Sequence, residues 1–262
     1  MTRSDDVNFH THQFPSGEYI AKIYEPILPE KKLVITWFVD TPVNDSLMEI
    51  ISLIDAAKNS GAVDITLVVP YFIYSRQNIM QLPYSSIGMK IMAQLLESTG
   101  IKRLVTVDIH SLESLGFFSI DVVHISVAEI LSYYSRELNL DNVTIIAPDE
   151  GSKKRLNNIS NNIVTMKKTR NLGRVVMELL GNVEGKDCLI IDDIYDSGAT
   201  IRAAALCLKK NKAKRIAGYV THFLNSKAPP IPLYITDTVP LRCSSEKNLS
   251  ILPILPVIAK FL

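Results

Sequence analysis

The sequence predicts an α/β fold of two lobes, each a mostly parallel sheet flanked by helices. Runs such as Ile65–Val69 and Cys188–Ile191 are apolar nearly throughout instead of alternating, as strands buried on both faces are. Between such runs lie segments with apolar residues at helical spacing, the alternation that builds βαβ units. The strand segments are too many for one sheet unit, so the chain is divided near residue 125, into lobes 1–125 and 126–262.

In chain order, Leu33–Val39 reads as a buried strand. Asp45–Asn59 carries Leu47, Ile50, Ile51 and Ile54 at helical spacing, with Asn44 or Asp45 as the cap. Ile65–Val69 is a strand, Ile87–Ser98 a helix and Arg103–Val107 a strand. In the second lobe a helix over Val127–Leu138 precedes the strand Val143–Ala147. Gly151–Ile159 is a further helix and Asn162–Met166 a strand. The strand Cys188–Ile191 is followed by a helix to about Lys210 and the strand Arg215–Val220. Pro229, Pro230 and Pro232 break structure in the tail, and a short helix at Val257–Leu262 closes it.

Apolar residues make up 47% and charged residues 21% of the 262, the composition of a globular protein with a full core. The net charge of +1 gives no nucleic-acid surface, so no nucleic-acid partner is expected. No apolar run approaches the ~20 residues of a membrane span, and the polar start has no signal-peptide core. A cytoplasmic location without membrane contact is expected. Cys188, Cys207 and Cys243 lack CxxC spacing and read as reduced thiols.

The chemistry concentrates where strands end. After Leu189-Ile190-Ile191 come the adjacent carboxylates Asp192 and Asp193, then Asp196-Ser197-Gly198-Ala199-Thr200 opening a helix. Such a loop presents backbone N–H groups and the positive end of a helix dipole to a phosphate. The two aspartates suit sugar hydroxyls or Mg²⁺, not phosphate itself. An acidic turn capping a helix through Ser197 uses the same residue types. The loop Pro70–Asn78 joins aromatic residues to Arg76 and Gln77, a set that suits a purine and a phosphate but also ordinary packing. Asp108 and His110 follow another strand and suit a metal or triphosphate, or a structural role. Asp149 leaves a fourth strand as a candidate for sugar or Mg²⁺. Lys153 to Arg155 beside it suit either phosphate or solvent. Met166–Gly173 reads as a mobile basic loop between two strands, able to bring cations to a phosphoryl group on closure. Gly181–Asp187 imitates a P-loop but is one residue short and precedes a strand, so it is a turn.

The strand, acid pair and D-S-G-A-T loop resemble the 5-phosphoribosyl diphosphate loop of phosphoribosyltransferases and ribose-phosphate pyrophosphokinases. The order of motifs resembles the latter (PRPP synthetase) family over nearly the whole chain. Phe14-Pro15-Ser16-Gly17-Glu18 is similar to its F-x-D-G-E loop, and Pro42–Glu49 to its P-V-N-D-x-L-M-E segment. Pro70–Asn78 resembles P-Y-F-x-Y-x-R-Q-D; Asp108-Ile109-His110 and Gly116-Phe117-Phe118 resemble D-L-H and G-F-F. Pro148–Gly151 is similar to P-D-x-G-G, Lys168-Thr169-Arg170 to the catalytic K-x-R, and Thr236–Pro240 to T-D/N-T-I-P.

The resemblance implies two related phosphoribosyltransferase-type lobes and a homo-oligomer, a dimer or a hexamer, with ATP bound between subunits. It implies transfer of the diphosphoryl group of ATP to C1 of ribose 5-phosphate, with Mg²⁺ as cofactor, giving PRPP and AMP. By the same resemblance Asp192, Asp193, Asp196, Ser197, Gly198, Ala199 and Thr200 bind ribose 5-phosphate. Phe14, Ser16, Glu18, Arg76, Gln77, Asn78 and His110 bind ATP, His110 and Asp149 hold the metal, and Lys168 and Arg170 stabilise the transferring group.

Departures fall on the nucleotide side: Ser16 and Asn78 replace aspartates, and Pro83–Ile87 replaces P-R-E-P-I. The strand and helix usual before F-x-D-G-E are missing and the tail is short, as in a member with truncated termini. These changes leave open a regulatory paralogue that co-assembles with an active synthetase. A third reading is a phosphoribosyltransferase.

Overall fold

The computed structural model describes residues 7–156, 159, 162–171, 174–224, 228–241 and 248–262; the side chains at 170, 171, 174 and 175 lie outside that description. The chain divides into two compact units, Met1–His124 and Ile125–Leu262.

The first unit opens with an antiparallel ribbon of β1 (Phe9–Gln13) and β2 (Tyr19–Ile23). A four-stranded sheet follows, in the order β3 (Lys32–Thr36), β4 (Asp64–Val69), β5 (Arg103–Val107), β6 (Asp121–Ile125). The pairs β3–β4 and β4–β5 are parallel. The last five residues of β4 are buried, which is why it reads as an unbroken apolar run. Helix α1 (Val43–Asn59) buries Leu47, Ile50, Leu53, Ile54 and Ala57, one stripe at 3.6-residue period. It begins two residues before the expected start: Pro42 is the N-cap and no side chain caps it, so neither Asn44 nor Asp45 does. Proline suits this boundary because it has no N–H to satisfy. Helix α2 (Gly88–Ser98) buries Met89, Met92, Ala93 and Leu96.

The second unit holds one seven-stranded sheet. It contains α3 (Val127–Tyr133), β7 (Thr144–Ala147), α4 (Glu150–Leu156), β8 (Ile163–Asn171), β9 (Arg174–Leu180), β10 (Asp187–Tyr195) and α5 (Ala199–Lys210). It ends with β11 (Arg215–Phe223), β12 (Leu233–Thr236), β13 (Leu249–Leu252) and α6 (Leu255–Ile258). The strand order is β13-β12-β11-β10-β7-β8-β9, and every pairing is parallel except β8–β9. Its core packs Ile201, Ala204, Ala205 and Leu208 of α5 with Ile190 of β10, Val220 of β11 and Ile235 of β12. Cys188 lies in this core and Cys207 is partly buried, both as free thiols; Cys243 lies outside the described residues.

Three expectations are corrected here. The basic stretch 166–171 is not a loop: it continues β8 and pairs antiparallel with β9, Lys168 opposite Met177 and Arg170 opposite Val175. The β-branched run at 175–176 supplies the partner strand, and the ribbon has a buried face at Met166 and Met177 while Lys167 is exposed. The strand before the phosphate loop does not stop at Ile191 but runs through the acid pair to Tyr195, because β11 keeps pairing with it as far as Tyr195↔Phe223. Helix α3 ends at Tyr133, before the expected Leu138; α4 is described over Glu150–Leu156, and the expected continuation to Ile159 passes through residues 157 and 158, which lie outside the described residues. The ribbon β1–β2 and the strands β6, β12 and β13 were not expected from periodicity; they are short, and most of them alternate weakly.

Candidate functional site

The chain leaves β7 towards β8 on one side of the sheet and leaves β10 towards β11 on the other. The gap between β7 and β10 is therefore the topological switch point of the second unit, where ligands of open α/β sheets bind beyond the carboxyl ends of the strands. Asp149 follows β7, and the acid pair and phosphate loop end β10 and open α5. Ladder pairing of β7 with β10 stops at Ile190↔Ile146. Beyond that point no strand among the described residues pairs with the β7 side of β10, and the backbone of Asp192 and Asp193 forms this edge.

Both carboxylates are buried, at 8% and 5% exposure. Arg155 of α4 faces them, its Nη2 3.9 Å from Asp192 Oδ1 and 3.4 Å from Asp193 Oδ1. The backbone N–H of Asp193 donates to Asp192 Oδ1 at 3.1 Å. Burial, above all, pushes the Asp192 carboxyl well above its ordinary value; the neighbouring Asp193 adds to this and Arg155 opposes it.

The phosphate loop is shaped by Gly198, which sits in the left-handed region at φ +72° as the N-cap of α5. A Cβ there would strike the ring of Tyr195, which is stacked on Phe223 with centroids 4.9 Å apart. Glycine is thus required twice, for the backbone conformation and for the close approach. The N-cap Gly198 has no side chain to offer; the N–H of Ala199, first residue of α5, donates to Ser197 Oγ at 3.4 Å, the capping bond that an acidic turn closed by Ser197 would also make, and the helix N-terminus opens beside Asp196, Ser197 and Thr200. Asp196, Ser197 and Ala199 are exposed.

Lys168 joins these parts. Its ammonium donates to Thr200 Oγ1 at 3.0 Å and lies 3.9 Å from Asp149 Oδ2. The other oxygen of Asp149 accepts from the backbone N–H (2.8 Å) and hydroxyl (3.0 Å) of Ser152. Lys168, Thr200 and Asp149 therefore form one cluster. Arg170 lies two residues further along β8; its side chain is outside the described residues. Arg155 belongs to a basic run suited equally to phosphate or solvent, yet it is the cation that faces the acid pair. Its position three residues after the buried Ser152 on a helix was the available signal.

In the first unit, the turn between β1 and β2 is closed by Phe14 N–H to Glu18 O and Gly17 N–H to Phe14 O, both 2.8 Å. Phe14 is exposed, in edge contact with His12, and Ser16 donates to the Glu18 carboxylate at 2.7 Å. Arg76 and Gln77 are exposed after β4, on a turn fixed by Gln77 N–H to Tyr74 O (2.8 Å) and Tyr74 hydroxyl to Asn44 (2.7 Å); Asn78 is half-buried. After β5, Asp108 is buried at φ +38° and His110 is exposed, while His124 accepts from the N–H of Ile109 at 3.1 Å. The two metal candidates thus belong to different units, His110 to the first and Asp149 to the second. Among the described residues no group of three His, Cys, Asp or Glu side chains gathers as a metal site, and no helix is long and apolar enough to cross a membrane.

Comparison with known proteins decides the family. Residues 3–100 match the N-terminal domain of ribose phosphate pyrophosphokinase, and residues 119–244 match the phosphoribosyl transferase domain. The ribose-phosphate pyrophosphokinase of Aquifex aeolicus is 33% identical over 94% of this chain and 84% of its own length. That of Ralstonia nicotianae is 34% identical over 93% of this chain and 83% of its own length. The chain belongs to the ribose-phosphate pyrophosphokinase family. The crystal structure of phosphoribosylpyrophosphate synthetase from Mycobacterium smegmatis superposes with a TM-score of 0.86 at 27% identity, covering 97% of this chain and 89% of that one. The two-lobed α/β fold is therefore that of the ribose-phosphate pyrophosphokinases.

Proposed function

We propose that this chain transfers the β,γ-diphosphoryl group of ATP to the C1 hydroxyl of ribose 5-phosphate. The C1 oxygen bonds to the β-phosphorus as the bond from that phosphorus to the α–β bridging oxygen breaks. AMP leaves, PRPP forms and the hydroxyl proton is released. The observation that carries this reading is the contact of Lys168 with Thr200, which brings the cation of the K-x-R segment onto the helix-opening phosphate loop. The names of the relatives agree with it.

Within this reading Asp196 to Thr200 bind the 5-phosphate through the N-terminus of α5, and Asp192 and Asp193 accept hydrogen bonds from the ribose hydroxyls. Lys168 and Arg170 offset charge on the transferring group, as phosphoryl transfer requires. Phe14, Ser16, Glu18, Arg76, Gln77, Asn78 and His110 bind ATP. Mg²⁺ takes hard oxygen donors and is commonly held by one or two carboxylates together with substrate phosphates. Asp149 fits: it is an oxygen donor fixed by Ser152 beside Lys168. The nitrogen of His110 suits this ion less well than an oxygen would. Bound Mg²⁺ supplies charge neutralisation on the phosphoryl oxygens. A homo-oligomer, dimer or hexamer, in the cytoplasm belongs to the same proposal.

Incubating the purified protein with ATP, Mg²⁺ and ribose 5-phosphate tests it. Equal amounts of AMP and PRPP are expected. Absence of both would overturn the reading in favour of a regulatory paralogue, and consumption of added PRPP with a free base would favour a transferase.

A further inference from the structure

We infer that Arg155 is a positioning residue that holds Asp192 and Asp193 together as a receptor for the vicinal ribose hydroxyls. The inference rests on the ribose 5-phosphate reading above and adds a residue to it.

Successive side chains of a strand point to opposite faces of the sheet, so neighbouring aspartates do not ordinarily share a partner. Here they do, because β7 stops pairing at Ile190 and leaves the edge of β10 open to α4, the helix that follows β7. Arg155 approaches along that edge, where one guanidinium reaches an oxygen of each carboxylate, at 3.4 and 3.9 Å. Its side chain is only 16% exposed. Two adjacent buried carboxylates repel each other and lose hydration, and a cation placed between them offsets part of that cost. Both contacts are made by the one nitrogen Nη2, which places a single corner of the guanidinium between the two carboxylates; this weakly hydrated cation suits so enclosed a position better than a strongly hydrated ammonium.

The same helix face also anchors the neighbouring carboxylate. Ser152, one turn before Arg155, holds Asp149, while Lys154 on the opposite face is exposed. The inward face of α4 thus contacts Asp149, Asp192 and Asp193. Arg155 acts through the aspartates and selects for the sugar, not for the phosphate.

The test compares binding of ribose 5-phosphate with that of 2,3-dideoxyribose 5-phosphate, which keeps the phosphate and lacks both ring hydroxyls. Calorimetric titration of the wild type is expected to favour ribose 5-phosphate at least tenfold. In Arg155→Met the preference should fall to within about twofold of unity through weaker ribose 5-phosphate binding, with dideoxy binding unchanged. Arg155→Lys keeps a cation but a more strongly hydrated one and should lie between the two; it also decides the matter should the methionine variant not fold. Equal loss of both ligands would reduce Arg155 to a structural prop, and an unchanged preference in the lysine and methionine variants would remove it from the site. A wild type that binds neither ligand would instead sink the functional reading itself.

Discussion

The ammonium of Lys168, on an antiparallel ribbon, rests 3.0 Å from the hydroxyl of Thr200, in the first turn of α5. The two residues are 32 positions apart. Their meeting ties the phosphate loop to the basic ribbon.

Thr200→Val removes this hydroxyl at nearly constant volume. The lost charge-assisted hydrogen bond to phosphate is worth ~1.5–3 kcal/mol, so the KM for ribose 5-phosphate should rise about ten- to a hundred-fold. Steady-state kinetics at saturating ATP measures it; an unchanged KM would remove Thr200 from the phosphate site.

Lys168→Ala should act on turnover. Its charge meets the phosphoryl group chiefly in the transition state, so kcat is expected to fall about 10²-fold or more while both KM values stay within about threefold. If only KM rises, the lysine binds ground states and has been given the wrong role.

The nucleotide side should bind ATP weakly, because neutral Ser16 and Asn78 stand for carboxylates. Asn78→Asp is expected to tighten a non-hydrolysable ATP analogue several-fold. Ser16→Asp should gain less, since Ser16 now donates to Glu18 and an aspartate would face that carboxylate as a like charge. Calorimetry of the wild type, each single variant and the double variant decides this. Tight, adenine-selective binding by the wild type would refute it.

Gly198→Ala should cost about 1–3 kcal/mol of stability in denaturant titration, from an unfavourable backbone conformation and a clash with Tyr195. Ribose 5-phosphate binding should weaken in the same variant. Unaltered stability would mean that the loop accommodates a side chain.

Cys188 should resist alkylation in the native protein. Burial pushes its thiol up to about 11, so at pH 8 only about one molecule in a thousand carries the reactive thiolate. Mass spectrometry after iodoacetamide treatment should find Cys188 labelled only once the protein is unfolded.

Much of this was legible in the residues. Wholly buried strands such as β4 and β10 announce themselves because both faces are apolar, and the loop after β10 because few local chemistries need Asp, Ser, Gly and Thr together. The continuation of β10 through Asp192 and Asp193 was hidden: a carboxylate pair reads as a loop unless the neighbouring strand and the Arg155 cation are known, and both lie far away in sequence. Lys167 to Arg170 read as a loop for the same reason, since the pairing that makes them a strand is supplied by β9. Arg155 was obscured by Lys153 and Lys154, which present the same charge towards different surroundings. Strands β6 and β13 mix polar with apolar residues and are only partly buried, so neither an unbroken apolar run nor a clean alternation marks them.

The pairing of β8 has a mechanical consequence. β7 supports it only as far as Thr165, opposite Ala147; from Met166 onward β9 is its sole neighbour. Packing takes over where that support stops: Met166 and Met177, the residue opposite Lys168, are buried in the core with α5, and Lys168 itself bonds Thr200. The ribbon is therefore clamped as far as Lys168. At about 3.4 Å per residue, the backbone of Arg170 stands roughly 7 Å beyond that clamp. Any flexing about it leaves the lysine in place and swings the arginine backbone.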